Sequence, residues 1–143
     1  MKFKVTFQPK SGGAPFDVQN VKAISWGARR HPRENGEVGQ VNHQIDIVTI
    51  VREKALAKDG KNKNETEIIA LAAAIGQKAY FKGTVVITPT AAEGAVQQIE
   101  WEQGHICDIQ EEAQFGGNFV ERLQIAVTGL KVDDSTFMVS HTT

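Results

Sequence analysis

Residues 64–76 read Asn-Glu-Thr-Glu-Ile-Ile-Ala-Leu-Ala-Ala-Ala-Ile-Gly, and they carry the one clear helical signature in the chain. Asn64 is placed to cap the first turn while Glu67 reaches back to it, a variant of the capping box. Ile68, Leu71, Ala72 and Ile75 fall at i, i+3, i+4 and i+7 and form one apolar stripe. Gly76 supplies the left-handed residue that ends the helix. Around this segment the pattern changes to a period of two, the signature of strands with one buried face. One helix set between two groups of strands predicts a mainly β fold. The expectation is a β-barrel or two-sheet sandwich of about 7–9 strands, with one α-helix, at about 65–75, packed on its side.

The strands follow from alternation. Phe3, Val5 and Phe7 alternate with lysine and threonine, and Pro9, Gly12, Gly13 and Pro15 end that run. A second extended run covers 16–26, with a change of phase that predicts a bulge or turn near Asn20. Residues 27–40, GARRHPRENGEVGQ, hold three arginines, two glutamates and three glycines without helical periodicity and are expected to form a long loop. In 41–51, the residues Val41, His43, Ile45, Ile47, Thr49 and Val51 share one face. A lysine-rich loop, 52–63, leads to the helix. Further strands are expected over 80–89, 96–102, 104–111 and 119–131, with a tight connection at Gln103-Gly104 and a turn at Gly116-Gly117-Asn118. Leu123, Ile125 and Val127 are the buried face of the last long strand, and 137–139 reads as a short final edge.

At 143 residues the chain is expected to be a single domain, 1–143, large enough to bury roughly 68–70% of its unfolded surface. Hydrophobic residues at 41% and charged residues at 23% are ordinary for a globular protein, which argues against a disordered chain. The formal net charge of −1, with both signs dispersed, offers no broad field to nucleic acid or an anionic membrane. Cys107 is the single cysteine and cannot form an internal disulfide. The alternating start, MKFKVTF, does not resemble a secretory signal, and no stretch approaches the roughly 20 apolar residues of a membrane helix. A cytoplasmic protein without membrane insertion is expected.

The residues capable of chemistry do not converge. His31, His43, His105 and His141 are scattered. His105 and Cys107 stand two apart, but two ligands fall short of the three or four a metal site needs, and a packed histidine beside a small thiol is the simpler reading. Glu100, Glu102, Glu111 and Glu112 invite a paired-carboxylate reading, whereas acidic residues along strands more often guard edges. Gly116-Gly117-Asn118-Phe119 lacks the lysine of a phosphate loop. Two tryptophans and one tyrosine are too few for an oligonucleotide-stacking barrel. No catalytic, cofactor or metal site is assigned, and no enzyme activity is expected.

The order of parts resembles the haemolysin-coregulated protein (Hcp) family, tube subunits of type VI secretion systems that are related in fold to phage tail-tube proteins. Three stretches carry the resemblance. They are GARRHPRENGEVGQ with the following VNHQIDIVTIV, then NETEIIALAAAIGQKAYFKGTVVI, and finally IEWEQGHICDIQEEAQFGGNFVERLQIAVTGLKV. The match is one of layout over most of the chain, without a specific short motif. The 52–63 loop is long for the family, and the tail continues past Val132.

The resemblance implies a structural role: hexameric rings that stack into the hollow inner tube of a contractile injection machine for effector delivery. It implies sheath, baseplate or tip proteins and effectors as partners, and release by the machine itself. Within that picture Arg29, Arg30, Arg33, Glu34 and Glu37 are expected to make ring-to-ring contacts. Arg122, Gln124 and Thr128, the polar face of the last strand, are expected to line the lumen. The alternatives are a phage tail-tube protein, a small ligand-binding β-barrel, and a small barrel enzyme resting on the glutamates and His105.

Overall fold

The computed structural model describes residues 1–10, 14–30, 41–52, 68, 80–89, 97–133 and 135–137. Among them are nine strands: β1 (Lys2–Pro9), β2 (Phe16–Asp17), β3 (Val21–Arg30), β4 (Val41–Arg52), β5 (Phe81–Thr88), β6 (Gln97–Ala113), β7 (Asn118–Thr128), β8 (Leu130–Val132) and β9 (Ser135–Phe137). They belong to one sheet with the path β2-β1-β5-β6-β7-β4-β3, and β8 pairs with β6 and β9. Every pairing is antiparallel. The fold is therefore mainly β, as the alternation predicts. The helix expected at about 65–75 lies outside the described residues except for Ile68, whose side chain is fully buried in the core.

The two ends of the sheet path, β2 and β3, are consecutive in the chain. Val18 N–H donates to the Val5 carbonyl at 2.8 Å, and Ile50 N–H donates to the Asn20 carbonyl at 3.0 Å. Residues 18–20 thus cross from β1 to β4 and close the sheet on itself. Asn20 makes the corner with φ +60°, a left-handed conformation that asparagine tolerates better than most side chains. The phase change near Asn20 is a true corner, but the expected single run over 16–26 is two strands on different neighbours.

Alternation then fills the interior. On β4, His43, Ile45, Ile47, Thr49 and Val51 point inward, matched across the ladder by Val127, Ile125, Leu123, Glu121 and Phe119 of β7. At the other side Phe7, Phe81 and Trp101 pack with ring centroids 4.6–6.2 Å apart, and Phe16 meets Phe7 edge-on at 5.8 Å. Two glycines make room for Trp101: a Cβ on Gly83 would lie 1.8 Å from the indole, and one on Gly104 2.5 Å from its Nε1. Close packing of this kind leaves no slack for even one added carbon.

Three expectations are corrected here. Gln103-Gly104 is no turn: β6 runs unbroken through it, and the glycine is there because Trp101 lies against it. Residues 27–30 belong to β3, where they pair with residues 44–41 of β4, so these four are strand rather than loop, and 31–40 lie outside the described residues. The last long strand breaks at Gly129, whose φ of +70° separates β7 from β8, and β9 covers Ser135–Phe137; of the edge expected at 137–139 only Phe137 is among the described residues.

Two substitutions test this packing by chemical unfolding. Gly83→Ala is expected to destabilise by about 1–3 kcal/mol through overpacking against Trp101. An unchanged denaturation midpoint would contradict the close approach. Asn20→Val is expected to cost about 1–2 kcal/mol at the left-handed corner, while Asn20→Gly is expected to be neutral or stabilising.

Candidate assembly surfaces

Beyond the closed core, β6, β7, β4 and β3 form a four-stranded sheet with two chemically different faces. The inner face is the apolar row already described. The outer face carries Arg122, Gln124 and Thr128 of β7, flanked by Gln44 and Asp46 of β4 and by Asp108 and Gln110 of β6. Arg122 and Thr128 are exposed and Gln124 is half-buried, so the three residues assigned from the sequence share this face. Inward-pointing Leu123, Ile125 and Val127 between them make that placement unavoidable.

Many polar groups of this face are satisfied by near neighbours. Gln44 Nε2 donates to both carboxylate oxygens of Asp46, at 2.9 and 3.1 Å. Gln110 Nε2 donates to Asp108 at 3.4 Å, and Gln114 Nε2 to Glu112 at 3.2 Å. Each pair is two residues apart on one strand, the spacing that puts side chains on the same side. The result is a hydrophilic surface whose carboxylates already have partners.

Cys107 sits where the β6–β7 register shifts between Ile106 and Asp108. Its thiol donates to the Gln124 carbonyl at 3.3 Å, and partial burial, the largest cause, raises its pKa. A raised pKa keeps the sulfur protonated near neutrality and blunts it as a nucleophile. The His105 ring instead packs edge-on against Tyr80, 6.0 Å away. His105 and Cys107 therefore have different partners and do not form the pair their spacing invites. His43 is buried on the inner face, where loss of hydration lowers its pKa and favours neutral imidazole.

The four glutamates do not converge. Glu100 and Glu102 lie in the first half of β6, and Glu111 and Glu112 near its end, roughly 30 Å away at about 3.4 Å per residue. Glu100 accepts a hydrogen bond from Gln98, and the other three are exposed. Among the described residues no cluster of three or more histidine, cysteine or acidic side chains is arranged to hold a metal ion. Glu121 is a buried carboxylate that the sequence reading passed over, fully enclosed beside Thr49. Its phase was the available signal, since it stands two residues before Leu123 on the inward row.

Arg29 and Arg30 lie at the exposed end of β3. Arg33, Glu34 and Glu37 fall outside the described residues. Both outer strands of the four-stranded sheet also have one side that no described strand pairs. Among the described pairings β3 joins only β4, and β6 beyond Gly104 joins only β7. Among the described residues the sheet thus ends in two edges of different make-up.

No family model matches the sequence, and no curated protein matches it. Solved structures do. Hcp1 from Flavobacterium johnsoniae aligns with a TM-score of 0.61 at 10% identity, covering 94% of this chain and 98% of that one. A chain of the anti-feeding prophage (AFP) baseplate, solved by six-fold symmetrised cryo-EM, aligns with a TM-score of 0.58 at 16% identity, covering 92% and 91%. The SPP1 tail tube gives 0.57 at 12% identity, covering 95% and 77%. The backbone arrangement of this chain is the one found in Hcp and tail-tube structures.

Proposed function

We propose that this chain is the repeating subunit of the inner tube of a contractile injection machine. It forms hexameric rings that stack into a hollow tube for effector delivery. The observation that carries the reading is the four-stranded sheet with one polar face and two unlike edges that no described strand pairs. An unpaired strand edge is a template for another chain, and in a stable protein it needs covering. Joining the β6 edge of one copy to the β3 edge of the next is a heterologous contact, and a heterologous contact that closes makes a ring. The self-satisfied outer face, with Arg122, Gln124 and Thr128, then lines the lumen. The closed apolar core gives each subunit its own stability. Residues 1–143 act as one tube domain in this reading, with no catalytic role.

Sheath, baseplate or tip proteins are its partners. The machine itself carries it out of the cytoplasm. Among the described residues no helix is long and apolar enough to cross a membrane. A phage tail-tube role uses the same ring and stack. The small ligand-binding barrel has less support, because the described interior is filled by side chains such as Phe7, Phe81, Trp101 and Ile125.

Negative-stain electron microscopy and light scattering across a range of concentrations test the proposal. Rings with a central hole and a mass near six subunits are the expected result. Uniform monomers at every concentration would overturn it.

A further inference from the structure

A second outward sheet face is built by β1, β5, the first half of β6 and β8; of these strands only β6 also belongs to the four-stranded extension. Charged residues are laid out across this face in strand order. Lys10 follows β1, Lys82 lies on β5, Glu100 and Glu102 on β6, and Lys131 on β8. The register sets them side by side, with Gln8 opposite Lys82, Thr84 opposite Glu100, and Glu100 opposite Lys131. The order of charge across the strands is therefore positive, positive, negative, positive. Lys10, Lys82, Glu102 and Lys131 are exposed, and Glu100 is half-buried.

A groove follows this order. Two open cavities of about 410 and 450 Å³ share Gln8, Lys82 and Glu102; the first extends to Lys10 and Tyr80, the second to Thr84, Gly129 and Lys131. Several of the charged groups are held in place. Lys10 Nζ lies 4.2 Å over the Tyr80 ring, a cation–π contact. Glu102 lies against Gly129, where a Cβ would fall 2.8 Å from its Cγ. Glu100 accepts a hydrogen bond from Gln98 Nε2 at 2.5 Å, and the neighbouring Asp17 accepts one from the Thr6 hydroxyl at 2.8 Å. From Lys10 to Lys131 the path crosses three strand spacings of about 4.8 Å and about four residues at about 3.4 Å each, roughly 20 Å along the diagonal.

We infer that this groove binds an extended segment of a partner protein whose charges run acid, acid, base, acid. The two leading acidic residues meet Lys10 and Lys82, the basic residue meets Glu100 and Glu102, and the last acidic residue meets Lys131. An extended chain of about seven residues spans the groove, and its period of two puts alternate side chains on the side facing the sheet. A plain polyanion would bring like charge onto Glu102, and a polycation would meet three lysines, so the pattern selects by order rather than by net charge. Such contacts are partly exposed and weaken as salt screens them. The groove lies within a single copy, so the inference goes beyond the tube reading and does not depend on rings.

The test is fluorescence anisotropy of labelled peptides with the full chain at low and high salt. Glu-Thr-Glu-Thr-Lys-Thr-Glu is expected to bind at low salt and to be released at high salt. The same residues ordered Lys-Thr-Glu-Thr-Glu-Thr-Glu are expected to bind several-fold more weakly. Lys82→Glu is expected to weaken the ordered peptide several-fold. Lys4→Glu, an exposed lysine on the same face outside both cavities, is expected to leave binding unchanged. Glu102→Lys is expected to weaken the ordered peptide and to strengthen a version carrying glutamate in place of its lysine.

No binding of the ordered peptide to the natural chain at low salt, or equal binding of the two orders, would overturn the inference. Loss of binding in Lys4→Glu as large as in Lys82→Glu would overturn it as well, by reducing the attraction to diffuse surface charge. The comparison of the two peptide orders uses the natural chain, so it decides the matter even where a variant fails to fold.

Discussion

Residues 18–20 hold the sheet closed, and most of the architecture depends on that short crossing. A sheet with the path β2-β1-β5-β6-β7-β4-β3 would be open at both ends if its terminal strands were distant in the chain. Here they are neighbours, tied by the bonds from Val18 to Val5 and from Ile50 to Asn20. The left-handed corner at Asn20 lets one strand leave β1 and the next begin on β4. Closure places Val18 in the same core as Phe7, Ile47 and Trp101. Edge protection is thus achieved for the β1–β5 side, and the exposed edges are confined to the part of the sheet beyond it.

That confinement separates stability from assembly. The core is a closed, close-packed body in which glycines at 83 and 104 admit Trp101 against the strands. The extension formed by β6, β7, β4 and β3 keeps one apolar face turned inward and leaves one polar face and two edges outside. Long strands make this possible: β6 has 17 residues, so its first half serves β5 and β8 while its second half serves β7 alone. One strand belongs to both the core and the projecting sheet, which couples the orientation of any neighbouring copy to the rigid body.

A formal net charge of −1 conceals a distribution that matters more than its sum. Arg29 and Arg30 lie where β3 ends, and Glu111 and Glu112 lie where β6 turns, with Arg52 opposite Asn118 at that same end. Within the outer face the acidic side chains are paired with glutamines two residues away and are less available to a passing surface. The same composition with shuffled positions would have neither property.

Much of the chain's local structure was legible from alternation. The inward rows of β1, β4 and β7, the turn at 116–118 and the corner at Asn20 all follow from period, glycine and phase, because a strand must present every second residue to the core. The length of β6 was not legible. Gly104 reads as a turn in sequence, and only the indole of Trp101, three residues away and folded back over the strand, explains it. Glu121 was passed over for a similar reason, since its charge outweighed its inward phase. Local pattern specifies which side chains turn inward, because the alternation of a strand is a property of neighbouring bonds. Strand partners, and the edges that no described strand pairs, depend on contacts between residues far apart in the chain, and those exist only once the sheet has closed.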